Sequence, residues 1–297
     1  MLMLSILTIP VRWFRIFMTD LRPLIKTDGL TLKKYHDVDV YVHDEHRWVL
    51  PIISYLQINN NLPTPCNLIG FDYHTDTIDV SSLILNDIKI ARANDLSVEK
   101  VIEICDSLDH QNHDWIKAGM ELGMIDNAVI FGINSFDLHS CRDGKDYIDH
   151  YGNMHKIFCL SHIREELERG GRLVEFHQKN EIWDILGLDF NLQTKTISAK
   201  NTNKALLDID LDCFTGRFTV SQEYIVPWPD EVYQDVFSDA STYDSACGIS
   251  GNDVIREMLK SVGAITIARE PEHCGGKNNA DIVNIRLNNH IFNGELN

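Results

Sequence analysis

The sequence predicts a single α/β domain with a mostly parallel sheet flanked by helices. Short apolar runs of strand length alternate with stretches of helical spacing, and no long linker, repeat or low-complexity tract interrupts them. The chain has 297 residues, of which 44% are hydrophobic and 24% charged, so it can bury one large core. We expect an N-terminal extension at residues 1–30 and one domain over residues 31–297.

The predicted strands are of two kinds. Residues 35–43 alternate between apolar and polar side chains, which indicates a strand with one buried face. Continuous apolar runs are typical of strands covered on both faces of a parallel sheet. These runs lie at 67–71, 127–133, 204–209 and 264–268, and a further strand is predicted at 172–176.

Helical spacing separates these strands. Residues 49–57 predict a helix that tolerates Pro51 near its first turn. Residues 97–123 predict two helices. Residues 161–171 have a serine at the start and two glycines at the end, and residues 250–263 pair a Ser250–Asp253 cap with a Gly263 stop.

Bulk properties exclude several classes of partner. A formal charge of −17 with a pI near 5.1 argues against nucleic acid or an anionic membrane. The seven cysteines include no CxxC pair, so they form neither a disulfide framework nor a zinc ribbon, and a cytoplasmic location is the simplest. The apolar start of the chain is interrupted by Arg12 and Arg15, so we expect it to pack on the domain or on a neighbour, without a membrane span. The oligomeric state stays open.

Three of the predicted strands run into charged or polar side chains of the kinds found in functional sites. They are Asp72, His74 and Asp76 after 67–71, Asp208, Asp210 and Asp212 at 204–209, and Arg269, Glu270 and Glu272 after 264–268. The carboxyl ends of parallel strands meet at one edge, and period-two spacing sends alternate side chains to one side. Carboxylates with a few imidazoles suit manganese or a related divalent ion. Burying so many like charges without a cation costs about several kcal/mol.

Either aspartate motif alone also fits a purely structural role. Aspartate and threonine are favoured at helix N-caps and in turns, and closely spaced aspartates occur in calcium loops. Two such motifs, each ending a buried apolar strand, favour a metal site.

The motifs together resemble a known family. The segments GFDYHTD and LLDIDLD are similar to the paired signature of the arginase/ureohydrolase superfamily, in which D-x-H-x-D and D-x-D build a binuclear manganese site. DEHRWVLPII (44–53), DIDLDCF and AITIAREP resemble the branch that includes peptide arginases, over about residues 38–273. The resemblance implies an arginase/deacetylase-like fold and hydrolysis of arginine residues in a peptide substrate to ornithine and urea.

The resemblance also implies six ligands for two Mn²⁺ ions. They are His46 and Asp76 on the first ion, His74 and Asp210 on the second, and Asp72 and Asp208 bridging both. His43 competes with His46 for its place. Asp212 lies outside the pattern, and we expect it to support a ligand.

Two acidic residues are expected to take part in catalysis. Asp76 would accept a hydrogen bond from the nucleophile and pass the proton to the departing amine. Glu270 would orient the guanidinium group, with Glu272 as the alternative. The family's usual shuttle histidine is missing between His74 and His110. Its possible replacements are His139, His155 and His273.

Other functions remain open at this point. They are a free-arginine or agmatine-type ureohydrolase, a metal-dependent amidase or deacetylase, which typically uses one zinc with a tyrosine or paired histidines, and a non-catalytic metal-containing peptide-binding protein. Residues 135–155 are either part of a substrate groove or a surface loop. Residues 272–279 are either a lid or a plain turn.

Overall fold

The structure is a computed structural model. It describes residues 21, 29–94, 96–109, 111–132, 144–160, 180–191, 193–194, 196–200, 205–219, 223–237 and 251–296. Most of the predicted N-terminal extension, the helix at 161–171, the strand at 172–176, Ser250 and His139 lie outside the described residues. None of the described helices is long and apolar enough to cross a membrane.

An eight-stranded sheet forms the centre of the domain, in the order β1-β2-β12-β9-β3-β4-β6-β5. The six inner strands are parallel, and β1 and β5 pair antiparallel at the two edges. The strands of this sheet are β1 (Thr31–Tyr35), β2 (Val38–His43), β3 (Cys66–Phe71), β4 (Ile125–Phe131), β5 (Lys145–Ile148), β6 (Met154–Cys159), β9 (Ala205–Asp210) and β12 (Val262–Ala268). Two antiparallel pairs lie outside it: β7 (Leu188–Asn191) with β8 (Thr196–Ala199), and β10 (Thr215–Thr219) with β11 (Glu223–Pro227).

Helices connect and cover the strands. They are α1 (Val49–Ile58), α2 (Ser82–Ala93), α3 (Val98–Cys105), α4 (Trp115–Glu121), α5 (Asn180–Leu186), α6 (Asp230–Phe237), α7 (Gly251–Ser261) and α8 (Lys277–His290). Ser81 and Ser97 cap α2 and α3 by accepting backbone N–H bonds. The predicted α/β class, with a mostly parallel sheet flanked by helices, is confirmed.

The apolar runs are buried because both faces of the sheet are covered. Phe71 and Ile209 belong to one hydrophobic core, and Leu68 and Leu206 to the other. Alternate side chains of one strand thus enter different cores, and a continuous apolar run satisfies both.

The chain reverses its direction of travel across the sheet between β3 and β9, which are neighbours. From β3 the chain continues to β4 on one side, whereas from β9 it continues to β12 on the other. The loops after these two strands therefore diverge and leave a crevice at their carboxyl ends, where open α/β sheets bind ligands.

Two element boundaries differ from the sequence prediction. Residues 35–43 are not one strand, because His36, with φ +50°, turns the chain between β1 and β2. Gly263 does not end α7, because the helix ends at Ser261 and β12 begins at Val262. The helix passes into the strand without the loop that a glycine stop predicts.

One of the described cysteines takes part in a disulfide. Cys159 is disulfide-bonded, whereas the other described cysteines are free. One bridge does not make a disulfide framework.

Candidate metal centre

Five aspartates and one histidine meet at the carboxyl ends of the inner strands. We call them the carboxylate cluster, and its members are His46, Asp72, Asp76, Asp208, Asp210 and Asp212. None is more than 4% exposed. The cluster lies in the crevice between β3 and β9, as expected for a ligand site at this point of the fold.

The loop after β3 places two of the aspartates. The N–H of Asp72 donates to the carbonyl of Phe131 at 2.9 Å, which extends the β3–β4 pairing by one residue. Oδ1 of Asp72 then accepts the N–H of His74 at 2.7 Å, a turn that aspartate favours. Asp76 has φ +47°, in the left-handed region that aspartate tolerates better than most residues.

Strand β9 places the other three. Asp208 and Asp210 are two residues apart and project to the same side. Oδ1 of Asp210 accepts the N–H of Asp212 at 3.1 Å and so caps the 3₁₀ turn Leu211–Phe214. Asp212 is turned back toward the cluster by this cap.

His46 stands at the centre of the cluster. It begins the 3₁₀ turn before α1. Its Nε2 lies 2.5 Å from Oδ2 of Asp208, and its Nδ1 lies 3.1 Å from Asp76, 3.4 Å from Asp210 and 3.6 Å from Asp72. Burial lowers the pKa of His46, but the charge and hydrogen bond of Asp208 outweigh it, so the pKa lies well above its ordinary value.

The aspartates outnumber the cations around them. Among the described residues, the basic side chains in ion-pair contact with the five aspartates are His46, His74 and Arg217. Burial lowers the pKa of His74 to about 4, so this ring is neutral near pH 7. Two positive charges therefore face five carboxyl groups.

The excess charge is visible in the pKa values of the acids. Burial, reinforced by neighbouring carboxylates, raises the pKa of Asp72 and Asp212 well above the ordinary value and that of Asp210 to about 7. Burial also acts on Asp76, but the hydrogen bond and charge of His46, together with His74 and the hydrogen bond from Trp115, outweigh it and lower the pKa of Asp76. Oδ2 of Asp72 is buried without a hydrogen-bond partner in the described part of the chain. Divalent cations bound to the cluster would compensate this excess negative charge.

Four overlapping sets of side chains could hold a metal ion. In each set, one ligand atom per residue lies within 4.8 Å of the others. The sets are His46, Asp72 and Asp76; His46, Asp210 and Glu270; Asp72, Asp210 and Asp212; and His74, Asp212 and His273. The residues present therefore fit a metal centre; the identity and number of the ions are a separate question.

The structure brings most, but not all, of the predicted ligands together. His46, Asp72, Asp76 and Asp210 share these sets, and Asp208 is bonded to His46. His74 stands at the margin, with Nδ1 3.3 Å from Oδ2 of Asp212 and 3.8 Å from Oδ1 of Asp72.

Of the two competitors named in the sequence, His43 lies outside the four metal sets, whereas Glu272 lines the same cleft as Glu270. His43 is buried, its Nδ1 contacts the carbonyl of Glu45 at 2.9 Å, and it belongs to none of the four sets. Burial lowers its pKa to about 4. Glu272 is exposed. Of the shuttle candidates, His273 lies beside His74, with ring centroids 5.9 Å apart, while His155 lies on β6 against the carbonyl of Asp126.

Glu270 joins the cluster to a cleft. Its Oε1 accepts the backbone N–H of His46 at 3.0 Å and the Nδ2–H of Asn112 at 2.6 Å. Burial raises its pKa to about 7, despite the opposing charge of His46. The cleft has a volume of about 420 Å³ and is lined by Asp44, Glu45, Arg47, Asn112, Glu270, Pro271, Glu272 and His273.

Several contacts of the site are not evident from the sequence. Nε1–H of Trp115 donates to Oδ2 of Asp76 at 2.7 Å, and the hydroxyl of Thr266 donates to Oδ1 of Asp208 at 2.6 Å. Nη2 of Arg217 lies 3.3 Å from Oδ2 of Asp212. Of these residues, only Thr266 could have been singled out from the sequence, because it is the one polar residue inside the apolar run 264–268. Asn112 reaches the site from a loop and Trp115 from the start of α4, and spacing in the sequence predicts the position of neither.

Comparison with known proteins adds no relative. A scan against protein-family models found no match, and a search of curated proteins found none. The likeness to the arginase superfamily thus depends on the motifs quoted above.

Proposed function

We propose that this chain is an arginase-like metallohydrolase that converts arginine residues of a peptide to ornithine with release of urea. The observation that carries the proposal is the position of Glu270. This carboxylate lines a cleft, and one of its oxygens also lies within 4.8 Å of ligand atoms of His46 and Asp210 in the carboxylate cluster. A group suited to hold a guanidinium cation thus adjoins a group suited to hold metal ions.

Manganese is the ion that the cluster suits best. Its donors are carboxylate oxygens with one central imidazole, a set that favours manganese, while the described cysteines outside the bridge are free and belong to none of the metal sets. His46, Asp72, Asp76, Asp208 and Asp210 would hold the ions, with His74 completing the predicted pair of sites. When bound, the two ions would supply a hydroxide nucleophile at neutral pH and stabilise negative charge.

Glu270 would orient the substrate. A carboxylate binds a guanidinium group through short, charge-assisted hydrogen bonds. Two protein donors already occupy Oε1 of Glu270, so Oε2 is the oxygen that remains for the substrate. Its nearest ion-pair partner in the described residues is Nδ1 of His273 at 3.9 Å.

Asp76 would move the proton. Its lowered pKa keeps it ionised at neutral pH, and Trp115 and His46 hold its Oδ2 in place. Water adds to the guanidinium carbon, and the bond from this carbon to the side-chain nitrogen breaks. Asp76 would accept a proton from the attacking water and return it to the leaving nitrogen, which departs as the amine of ornithine while the carbon leaves as urea.

The peptide substrate rests on the family resemblance. A free amino acid requires partners for its α-amino and α-carboxylate groups, and Arg47, the basic lining residue that suits a carboxylate, is already paired with Glu45 at 2.5 Å. The walls of the cleft include Asp44, Glu45 and Arg47, which are half-buried or exposed and leave the cleft open to solvent.

Mass spectrometry tests the proposal. Manganese-loaded protein is incubated with an arginine-containing peptide and, separately, with free arginine. Loss of CH₂N₂ from the peptide, absent with Asp72→Asn or Asp210→Asn, is the expected result. Turnover of free arginine alone would favour an ordinary ureohydrolase. No turnover of either substrate by protein that holds manganese would refute the hydrolase and favour a peptide-binding role.

One observation favours a second candidate, a zinc-dependent amidase. The ring of His74 lies 5.8 Å from that of His113 and 5.9 Å from that of His273, and paired histidines are typical of those enzymes. The same assay with zinc-loaded protein and an acetyl-lysine peptide distinguishes the two, because deacetylation leaves arginine intact.

A further inference from the structure

We infer that Asn112 is a positioning residue that keeps the carboxylate of Glu270 available to the cationic substrate by preventing it from binding the metal ions. The inference rests on the proposed function for its substrate, a guanidinium group. The position of Glu270 allows it to bind either the substrate or the metal ions, because it lies within reach of both the cleft and the carboxylate cluster.

Glu270 has the position of a metal ligand. One of its carboxylate oxygens lies within 4.8 Å of ligand atoms of both His46 and Asp210. Divalent ions bind carboxylates readily, and a side chain with free rotation would turn onto them. Once bound in that way, Glu270 would no longer offer a free negative charge to a guanidinium group.

Asn112 opposes that rotation. Its Nδ2–H donates to Oε1 of Glu270 at 2.6 Å, and the backbone N–H of His46 donates to the same oxygen at 3.0 Å. With both donors on Oε1, only Oε2 is available to a ligand. The backbone donor is fixed by the 3₁₀ turn that contains His46, so the side chain of Asn112 supplies the second point that sets the rotation of the carboxylate.

The contact with Glu270 leaves Asn112 with an unsatisfied amide oxygen and a strained backbone. It is 6% exposed, and its Oδ1 is buried without a hydrogen-bond partner in the described chain. A purely structural asparagine usually satisfies both ends of its amide. Asn112 has φ +62° and Glu270 has φ +33°, so both partners occupy the sparsely populated left-handed region. Such strain is typical of residues held in place for function.

Asn112→Gly tests the inference, because glycine accepts the positive φ and removes only the amide. Asn60→Gly is the matched control, since Asn60 has φ +58° and is exposed on the turn after α1. Calorimetry measures two affinities of the full chain: for Mn²⁺, and for N-acetyl-arginine amide in the presence of Mn²⁺. Turnover of an arginine peptide is recorded alongside.

Asn112→Gly is expected to weaken binding of the arginine probe without weakening binding of Mn²⁺. Asn112→Gly should bind the arginine probe at least about tenfold more weakly, as for loss of a charge-assisted contact. It should bind Mn²⁺ at least as tightly as the wild type does, because Glu270 is free to join the ions. A merely supporting residue gives the opposite result for the metal, a loss of roughly 10- to 100-fold in affinity. Weaker Mn²⁺ binding, or unchanged binding of the arginine probe, overturns the inference.

Glu270→Gln keeps the inference testable if Asn112→Gly does not fold. It should leave the Mn²⁺ affinity within about twofold of wild type while weakening the arginine probe by about tenfold or more. A loss of Mn²⁺ affinity of about tenfold would make Glu270 a metal ligand and overturn the inference. Wild-type protein that binds Mn²⁺ and the arginine probe but shows no turnover would refute the hydrolase and leave the binding role of Glu270 intact.

Discussion

Two clusters of charged side chains in this protein, one buried and one partly exposed, differ in the basic partners that their acids have. The first is the carboxylate cluster. The second, which we call the hairpin cluster, lies beside strands β5 and β6 and consists of Arg92, Lys117, Glu121, Asp149 and His150. In the hairpin cluster each acid has a basic partner: Nη1 of Arg92 lies 3.7 Å from Oδ2 of Asp149, and Nδ1 of His150 lies 2.8 Å from Oε1 of Glu121. Lys117, itself buried, pairs with Asp79.

The carboxylate cluster lacks such a balance. Five aspartates share His46 and Arg217 as charged partners in the described chain, and the pKa values of Asp72, Asp210 and Asp212 are raised. Within the described residues, the hairpin cluster thus has a basic partner for each acid, whereas the carboxylate cluster has two for five. The uncompensated charge at the strand ends is therefore best explained by an external cation.

The largest expected effect is that of metal on stability. At a Mn²⁺ concentration roughly 1,000 times Kd, binding to the folded state alone adds about 4 kcal/mol to the free energy of unfolding. Urea unfolding with Mn²⁺ and with a chelator measures the difference. The gain should vanish in Asp72→Asn/Asp210→Asn. An equal gain in that variant would place the metal elsewhere.

The second effect is on the pH dependence of the metal-free protein. Asp210 has its pKa raised from the ordinary 3.8 to about 7, and that of Asp72 is also raised, so the folded state keeps protons that the unfolded chain has lost. Stability of the metal-free protein should therefore fall as the pH rises from about 4 to about 7. Asp76, with its lowered pKa, acts in the opposite direction below pH 4, outside this window. His43 and His74, with pKa values lowered to about 4, oppose the fall inside the window, but the acids with raised pKa values outnumber them: Asp72, Asp210, Asp212 and Glu270.

Saturating Mn²⁺ should reverse that slope, because its ligands must be deprotonated to bind. Chemical unfolding at several pH values, with and without Mn²⁺, checks both trends. Parallel slopes in the two series would contradict a metal site in the cluster.

The hairpin cluster should respond differently. With its amide oxygen at the position of Oε1, Glu121→Gln keeps the acceptor of the Tyr147 hydroxyl and the His150 ring, and leaves the backbone N–H of His150 facing an amide donor. We expect a loss of about 1–3 kcal/mol in the free energy of unfolding. The added stability from Mn²⁺ should equal that of the wild type. A reduced Mn²⁺ effect would show that the two clusters are coupled.

The smallest expected effect is that of Thr266→Val. This change keeps the shape of a buried side chain and removes the hydroxyl that orients Oδ1 of Asp208. Loss of a hydrogen bond behind a ligand typically weakens metal binding about 10-fold or more, while stability without metal should change by about 1 kcal/mol. Equilibrium dialysis against Mn²⁺ and urea unfolding without it separate the two. Unchanged Mn²⁺ affinity would remove Asp208 from the ligand set.

The sequence predicts the fold well where the pattern is strong. Continuous apolar runs correctly indicate β3, β4, β9 and β12, because both faces of these strands are buried. It fails at boundaries set by backbone conformation. His36 adopts a positive φ and splits a regular alternation into β1 and β2, and the alternation of apolar and polar residues, which continues through the turn, conceals it.

The candidate site is likewise predictable where its residues lie in the strands or directly after them. Residues that follow strands are placed by the parallel sheet, so Asp72, Asp76, Asp208 and Asp210 could be named from the sequence. Asn112 and Trp115 come from a connecting segment whose path depends on the packing of α4. His74 sits nearer Asp212 than expected, because the cap on Asp210 draws Asp212 back into the cluster.

Metal stoichiometry tests the central claim most directly. The full chain, stripped with a chelator, is dialysed to equilibrium against Mn²⁺ and its metal content is measured by elemental analysis. We predict about two Mn²⁺ ions per chain for the wild type and for Glu121→Gln, as a two-metal hydrolase requires. Asp72→Asn/Asp210→Asn should retain none. A wild-type protein that retains no divalent ion, or retains as much as this variant, would contradict a metal centre in the carboxylate cluster.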